Sequence, residues 1–405
     1  MPRAPTLGKP PIGLGAMAAL ALVLAGRAVA DCPTPLTTQL VPLPVYATNP
    51  NEGATWGVLP VILRVCPQDQ RTYAIFAPSL TWNSVIRYTG TFRWYHYPSP
   101  DTTVTAIASV STRTNFELLL RRLRLPTAGG TTTDELWFRG RRNVFERYYG
   151  IGPDTPASAE SSYTSLRFIL NGRRGWNLVD HLNLGVSLRL ERDDVESIGV
   201  PNLPLTPQAF PEAPGLHGAT LLSAGLDAYY DDRVGADYAE QGLRVALGGA
   251  VVDGLAGSPS FLRGALQVSV IVPEAPRLSG AARVWTSAVS SRGVPFYQQP
   301  SLGGSSLLRG FSEGRFVDLA AWTLELEQRV RLFQTQIFGV RTDWRADPFV
   351  ATGQVFDRLA EAASRPRFAA GVGFRAFVHP NIVGRIDVAA ASEGMKVYVE
   401  IGYPY

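Results

Sequence analysis

The four histidines, His96, His181, His217 and His379, stand far apart, and none has a carboxylate or cysteine partner at metal-ligand spacing. No metal or cofactor is therefore expected. Gly371-Val372-Gly373 lacks the third glycine and the following helix that nucleotide binding needs, and no nucleophile elbow occurs. Tyr230-Asp231-Asp232-Arg233 reads as a strand end followed by a polar turn. These features argue against an enzyme. The chemistry that remains is charge pairing, because arginines and carboxylates recur at every second position of otherwise apolar segments. The most unusual cation is Arg309, in the loop Ser301-Leu302-Gly303-Gly304-Ser305-Ser306-Leu307-Leu308-Arg309-Gly310-Phe311. A hairpin loop needs neither adjacent glycines nor an Arg-Gly-Phe merely to reverse the chain.

The segments that must position these charges have the period of a β-strand. From 322 to 333, Trp322, Leu324, Leu326, Val330 and Leu332 fall on one face, and Thr323, Glu325, Glu327, Arg329 and Arg331 on the other. The split recurs in Leu182, Leu184, Val186, Leu188 and Leu190 against Asn183, Ser187, Arg189 and Glu191, and again at 262–272 and 382–388. In a soluble sandwich the apolar face points inward; in a transmembrane barrel the sense is reversed. Alternation alone does not choose. Segments near ten residues long, with Tyr and Trp at their ends, favour the membrane.

A secretory signal points the same way. Residues 1–30 carry Arg3 and Lys9, an apolar run from Ile12 to Leu24, and Ala28-Val29-Ala30 as a small-residue cleavage site. Arg3, Lys9 and Arg27 account for three of the four net positive charges, so +4 falls to +1 after cleavage, which gives no reason to expect nucleic acid. Cys32 and Cys66 are bound for a compartment where a disulfide is chemically allowed. A first strand at 54–65 would nevertheless place them on opposite sides of the membrane.

Sixteen strands are predicted, near 54–65, 72–83, 85–97, 103–113, 136–147, 163–172, 181–192, 219–230, 242–251, 261–272, 278–289, 321–333, 346–356, 367–378, 382–391 and 396–405. Residues 116–125 fit none of them. The fold expected is all-β, a 16-stranded antiparallel transmembrane β-barrel spanning 54–405, preceded by a short periplasmic segment at 31–53. With both ends periplasmic, the Pro-rich 194–217 loop and the Arg-Gly-Phe loop lie outside, and the turn His379-Pro380-Asn381 lies on the periplasmic side. Alternation also sends Arg87, Arg93, Arg167, Arg189, Arg244, Arg263, Arg329, Arg331, Arg375 and Arg385 into the lumen, against Glu191, Asp227, Glu325, Glu327, Asp387 and Glu400. Facing lipid near the midplane would cost about 2–4 kcal/mol per charge. Such a lumen either selects anions or satisfies itself by mutual ion pairs.

The loop and its neighbours resemble the BamA/TamA-type outer-membrane assembly and translocation barrels, the bacterial surface antigen superfamily. The likeness rests on Pro295-Phe296-Tyr297, Leu302-Gly303-Gly304, Leu308-Arg309-Gly310-Phe311, Gly314-Arg315-Phe316-Val317-Asp318, Leu326-Glu327-Gln328-Arg329 and Pro348-Phe349-Val350. It implies that the extracellular loop folds inward and that Arg309 meets a Glu on strand 12 and an Asp on strand 13. Glu327 stands in the first position. In the strand 13 motif, from Phe349 to Gly353, Ala351 stands where the Asp is expected. The resemblance thus leaves Glu327, helped by Glu325 or Asp318, as partner of Arg309. The segment 31–53 is too short for the POTRA domains of the best-known relatives.

The C-terminus, where Val397, Val399, Ile401, Tyr403 and Tyr405 alternate with Lys396, Tyr398, Glu400 and Gly402, looks like the signal that outer-membrane barrels present to the assembly machinery. The implied role is insertion or translocation of proteins or lipids at the outer membrane of a Gram-negative bacterium. Expected partners are outer-membrane lipid, the barrel-assembly machinery during biogenesis, and protein or lipid clients. The alternative is a gated or passive pore for small solutes, anions included.

Overall fold

The computed structural model describes residues 32, 34–69, 71–126, 130–234, 239–337, 340–378 and 382–401. The expected signal segment, the turn at 379–381, Tyr403 and Tyr405 lie outside the described residues. The alternating segments form one antiparallel sheet that closes on itself. The first part of the wall comprises β1 (Thr37–Asn49), β2 (Gly53–Val65), β3 (Thr72–Phe76), β4 (Ser79–Asn83), β5 (Arg87–Ser99), β6 (Thr102–Ser111) and β7 (Phe116–Arg124). The middle is β8 (Thr132–Tyr148), β9 (Ser161–Val179), β10 (Leu182–Glu196), β11 (Ala219–Asp231), β12 (Gly242–Leu255), β13 (Phe261–Ala275) and β14 (Leu278–Val289). Two short strands, β15 (Ser301–Leu302) and β16 (Phe316–Val317), pair with each other apart from the wall. The wall then resumes with β17 (Ala320–Ile337), β18 (Val340–Phe356), β19 (Arg367–Val378), β20 (Ile382–Ala391) and β21 (Gly394–Ile401).

The wall has 18 strands, not the 16 expected. The β3 and β4 segments are halves of one strand broken at Ala77-Pro78, since both pair with β2 and β5. The two added strands are β7, which occupies the stretch that fitted no predicted strand, and β1, which lies in the segment expected to precede the barrel. β1 escaped the period-two test because both its faces are apolar. Leu40 and Tyr46 point out, while Val41, Leu43 and Val45 pack inside against Leu59, Val61 and Ala77. Pro42 and Pro44 also lower its strand signal, although proline is tolerated at a sheet edge.

The extra strand also corrects the reading of the cysteines. β1 and β2 form a hairpin that opposes Thr37 to Val65, which brings the chain just before β1 beside the chain just after β2. Cys32 and Cys66 are disulfide-bonded, with Cα atoms 5.8 Å apart.

The exposures decide the sense of the wall. Leu184, Val186, Leu188, Leu226, Leu247, Leu262, Val272, Leu326, Val350, Phe368 and Ile386 are exposed on the outer face, while Thr323, Glu325, Glu327, Arg329, Arg375, Arg385 and Asp387 are buried inside. An apolar belt around a charged interior is the arrangement of a barrel in lipid. Strand connections are short at one end, as at 100–101, 180–181 and 276–277, and long at the other, where 149–160, 197–218, 290–319 and 357–366 gather. Long loops belong outside. The interior loop between β14 and β17 therefore descends from the extracellular end.

The hairpin makes a direct prediction. In folded protein a maleimide labels neither cysteine until a reductant is added, after which both react. Labelling before reduction, read by mass, would separate Cys32 from Cys66 and remove β1 from the wall.

Candidate functional site

The loop 302–317 is shaped by residues that the left-handed backbone region selects. Gly303 has φ of 111°, and a Cβ there would lie 2.0 Å from the Ser312 carbonyl oxygen. Only glycine fits. The Gly303 amide donates to the Leu307 carbonyl at 3.0 Å and the Gly304 amide to the Phe311 carbonyl at 2.9 Å, closing a compact turn. Leu308 also has positive φ, 55°, a conformation that costs a non-glycine residue about 1–2 kcal/mol. Its side chain is fully buried, and burying a leucine returns about 1.5–3 kcal/mol. The strain is offset by packing. At Gly310 a Cβ would stand 3.1 Å from the Ala369 Cβ and 3.2 Å from the Ala391 Cβ, so the loop backbone rests directly on the inner wall.

Leu302, Leu308, Phe311 and Phe316 form an apolar cluster with Ala321, Ala351, Val355 and Ala369 of the wall. Phe311 meets Phe316 edge to face at 5.2 Å between centroids. From the last strand, buried Tyr398 donates its hydroxyl to the Phe311 carbonyl at 2.6 Å.

Next to this cluster the Arg309 guanidinium is wholly shut from solvent. It lies 3.0 Å from Glu325, donates to Glu327 at 3.1 Å and to Asp387 Oδ1 at 2.9 Å, and stacks over the Phe349 ring at 3.5 Å from the centroid. The anions are shared. Glu327 also takes Arg329 at 2.9 Å, and Glu325 faces Arg283 at 3.8 Å. Asp387 takes Arg375 at 2.8 Å, with Arg385 at 3.7 Å, and these continue to Asp347 and Glu400. Five arginines and five carboxylates thus form one connected network. Of the two meanings open to an arginine-rich lumen, this part has the balanced one.

The expected partner Glu327 is in place, helped by Glu325. A further acid comes from β20, whose Asp387 reaches Arg309 at 2.9 Å. Asp318 does not join; it caps the Leu319 amide at 2.8 Å. Ala351 lies opposite Glu325 in the β17–β18 ladder and packs in the apolar cluster. Phe349 is a stacking partner, and Gly371 leaves room for it, since a Cβ there would meet the ring at 2.7 Å. Gly353 permits close pairing, because a Cβ would lie 2.6 Å from the Trp322 carbonyl. In the terminal motif, Val399 opposes Thr48 across the closure and Ile401 pairs with Gly384, while the interior role falls to Tyr398. Only its place among inward-facing positions of the last strand could have singled out Tyr398.

Other loops hold the site from above. Arg315 pairs with Glu393 at 2.7 Å, donates to the Thr155 carbonyl at 2.7 Å and stacks over Tyr149 and Phe316. Asn51, in the turn after β1, donates to the Glu313 carbonyl at 3.1 Å. From the periplasmic end, Ala239 accepts from Arg329 at 2.9 Å, and Glu240 pairs with Arg331 and Arg345.

The Omp85 superfamily domain model matches residues 132–394. Among solved structures, the chain is similar to BamA from Haemophilus ducreyi lacking POTRA domains 1–3, with a TM-score of 0.55 and 14% identity over 90% of this chain and 75% of that one. It is also similar to CdiB from Acinetobacter baumannii (TM-score 0.49, 10% identity, 90% of this chain and 65% of that one). For CdiB from Escherichia coli the TM-score is 0.43, with 13% identity over 91% of this chain and 67% of that one. No curated protein sequence matches significantly. At 14% identity the BamA likeness concerns the fold.

The shared anions set the order of mutational effects. Asp387→Ala deprives Arg309, Arg375 and Arg385 at once and should cost about 3–5 kcal/mol, the penalty for breaking a buried pair. Glu327→Ala should cost less, because it deprives two arginines, Arg309 and Arg329, rather than three. Ala351→Asp should rescue neither and should itself destabilise, as it sets a carboxylate opposite Glu325 within apolar packing. Urea unfolding midpoints of the parent, the three single variants and the two double variants with Ala351→Asp check this order; rescue of Glu327→Ala by Ala351→Asp would overturn it.

Proposed function

The chain belongs to the Omp85 superfamily, and from that premise we propose that it acts at the outer membrane of a Gram-negative bacterium in the insertion or translocation of proteins or lipids. The observation that carries this reading is the seam between the first and last strands. Among the described residues, β1 and β21 are joined by the single pair Thr48↔Val399, whereas β1 pairs with β2 along its whole length and β21 pairs with β20 from Gly394 to Ile401. A seam of one pair among the described residues leaves other backbone donors and acceptors of these edges able to template another strand. Beside it the inner wall is apolar, with Val41, Leu43, Val45, Leu59, Val61 and Ile75 clustered together. An apolar inner surface next to a weak edge suits an apolar client better than a small hydrated solute.

The inward loop fits the same role as a closure of the lumen. Its latch is built from Arg309 and its cluster from Leu302, Leu308, Phe311 and Phe316, so the resting barrel is filled where a simple pore would be open. The C-terminal strand, through Val399, Ile401, Tyr403 and Tyr405, serves on this reading as the signal for the chain's own assembly.

Thr48 and Val399 oppose each other directly, at a separation characteristic of paired strands that a disulfide can span. In Thr48→Cys/Val399→Cys protein reconstituted in liposomes, oxidation should reduce insertion of an unfolded barrel precursor to the protein-free background, and reductant should restore it. Insertion at the parental rate through a locked seam would refute the proposal. If the chain were a pore, locking the seam would leave solute flux unchanged.

A further inference from the structure

The outer wall carries a cluster of arginines that neither the interior network nor the seam uses. In β7, β8 and β9 two adjacent ladder rows read Arg122↔Leu136↔Gly172 and Arg124↔Asp134↔Arg174. They continue onto β10 at Leu188 and Val186, both exposed on the outer face. Residues directly opposed across a sheet share its face, so Arg122, Arg124 and Arg174 point out of the barrel. Above them the outward positions are apolar: Phe116, Leu118 and Leu120 on β7, Phe168 and Leu170 on β9. Below them lies the short connection between β7 and β8. On β7 and β8 the arginines stand where the apolar belt ends on the periplasmic side, while on β9 and β10 the exposed Trp176, Leu178 and Leu184 continue past Arg174, Trp176 being an aromatic at the level expected of a membrane interface.

Their charge is incompletely matched. Arg174 lies 3.5 Å from Asp134, both exposed, and Arg124 lies 3.4 Å from the mostly covered Asp101, so two of the three arginines have a loose carboxylate partner. Arg122 has no carboxylate within ion-pair distance among the described residues, and its Nε is covered without a hydrogen-bond partner. The rows border a cavity of about 560 Å³ whose lining holds these arginines and Arg173 against Asp134 and Glu135, together with Leu136, Gly172, Val186 and Leu188. Gly172 forms its floor: the nearest atom to a Cβ there would be the Leu136 Cδ1 at 3.9 Å, so the absence of a side chain opens a furrow in the belt. A concave site with surplus guanidinium at one end and an apolar furrow leading toward the membrane interior has the polarity of a phospholipid. Arginine forks match phosphate oxygens bidentately.

We propose that this face binds an anionic phospholipid of the periplasmic leaflet, its phosphate held among Arg122, Arg124 and Arg174 and an acyl chain lying over Gly172 between Leu136 and Leu188. The site depends on the orientation of the wall in the membrane and is independent of the insertion role. The test is native mass spectrometry of the full chain released from vesicles containing equal parts of phosphatidylglycerol and phosphatidylethanolamine. The parent should retain phosphatidylglycerol in preference to phosphatidylethanolamine. Arg122→Gln/Arg174→Gln should lose that adduct, and Gly172→Leu, with every arginine in place, should lose it too. Arg192→Gln, which removes an outward arginine at the opposite end of β10, should keep it. Each variant is first shown to migrate as a heat-modifiable barrel. Retention of the adduct by the double arginine variant or by Gly172→Leu, equal retention of the two lipids, or displacement of the lipid by free glycerol phosphate would each overturn the proposal.

Discussion

A guanidinium shut inside a barrel must be matched charge for charge, because desolvating it costs several kcal/mol that only well-placed anions return. Arg309 imposes that constraint on the arc of wall from β17 to β20. Its three carboxylates come from β17 and β20, two strands of the same arc of the wall, and each carboxylate answers to a further arginine. The loop can occupy the lumen only while those strands hold their spacing. The glycine conformations, the strained Leu308 and the apolar cluster are the means by which a loop backbone is brought close enough for the arginine to reach all three.

The polarity of the wall follows from the same constraint seen from outside. A strand with Glu325, Glu327 and Arg329 on one face and Leu324, Leu326 and Val330 on the other has no stable home in water unless the apolar face is covered. Lipid covers it, and the interior ion pairs satisfy the rest. Where both faces are apolar, as in β1, the inner residues must find one another, and Val41, Leu43 and Val45 do so against β2. That patch is the exception to the charged lumen, and it adjoins the seam.

These particulars explain what could be read from residue types and spacing. The strands from 181 to 391 were legible because polar and apolar residues alternate in them, and the outward turn of Leu184, Val186 and Leu188 follows from the same period. β1 was not legible, since a strand apolar on both faces and interrupted by Pro42 and Pro44 has no period to detect. Cys32 and Cys66 fall on one side of the membrane only because β1 returns the chain beside β2. The Arg309–Glu327 pair could be anticipated from a motif on neighbouring strands. Asp387 could not, because its approach to Arg309 depends on barrel curvature and loop descent rather than on distance along the chain. Ala351 illustrates the converse, a position where an acid was sought and where packing against Leu308 and Phe311 requires a small apolar side chain.

The latch is not distributed evenly around the barrel, and its asymmetry has a mechanical meaning. Arg309 bonds Asp387 on β20, Phe311 accepts from Tyr398 on β21, and the Ser305 carbonyl accepts from Arg385 at 3.3 Å, itself paired with Glu400 on β21. The loop is thereby fastened to the last two strands, one of which forms the seam. Displacing those strands from the barrel axis breaks contacts to the loop, and withdrawing the loop removes partners from the strands. Withdrawing the loop and displacing β20 and β21 outward break the same bonds, so those two events share that free-energy cost.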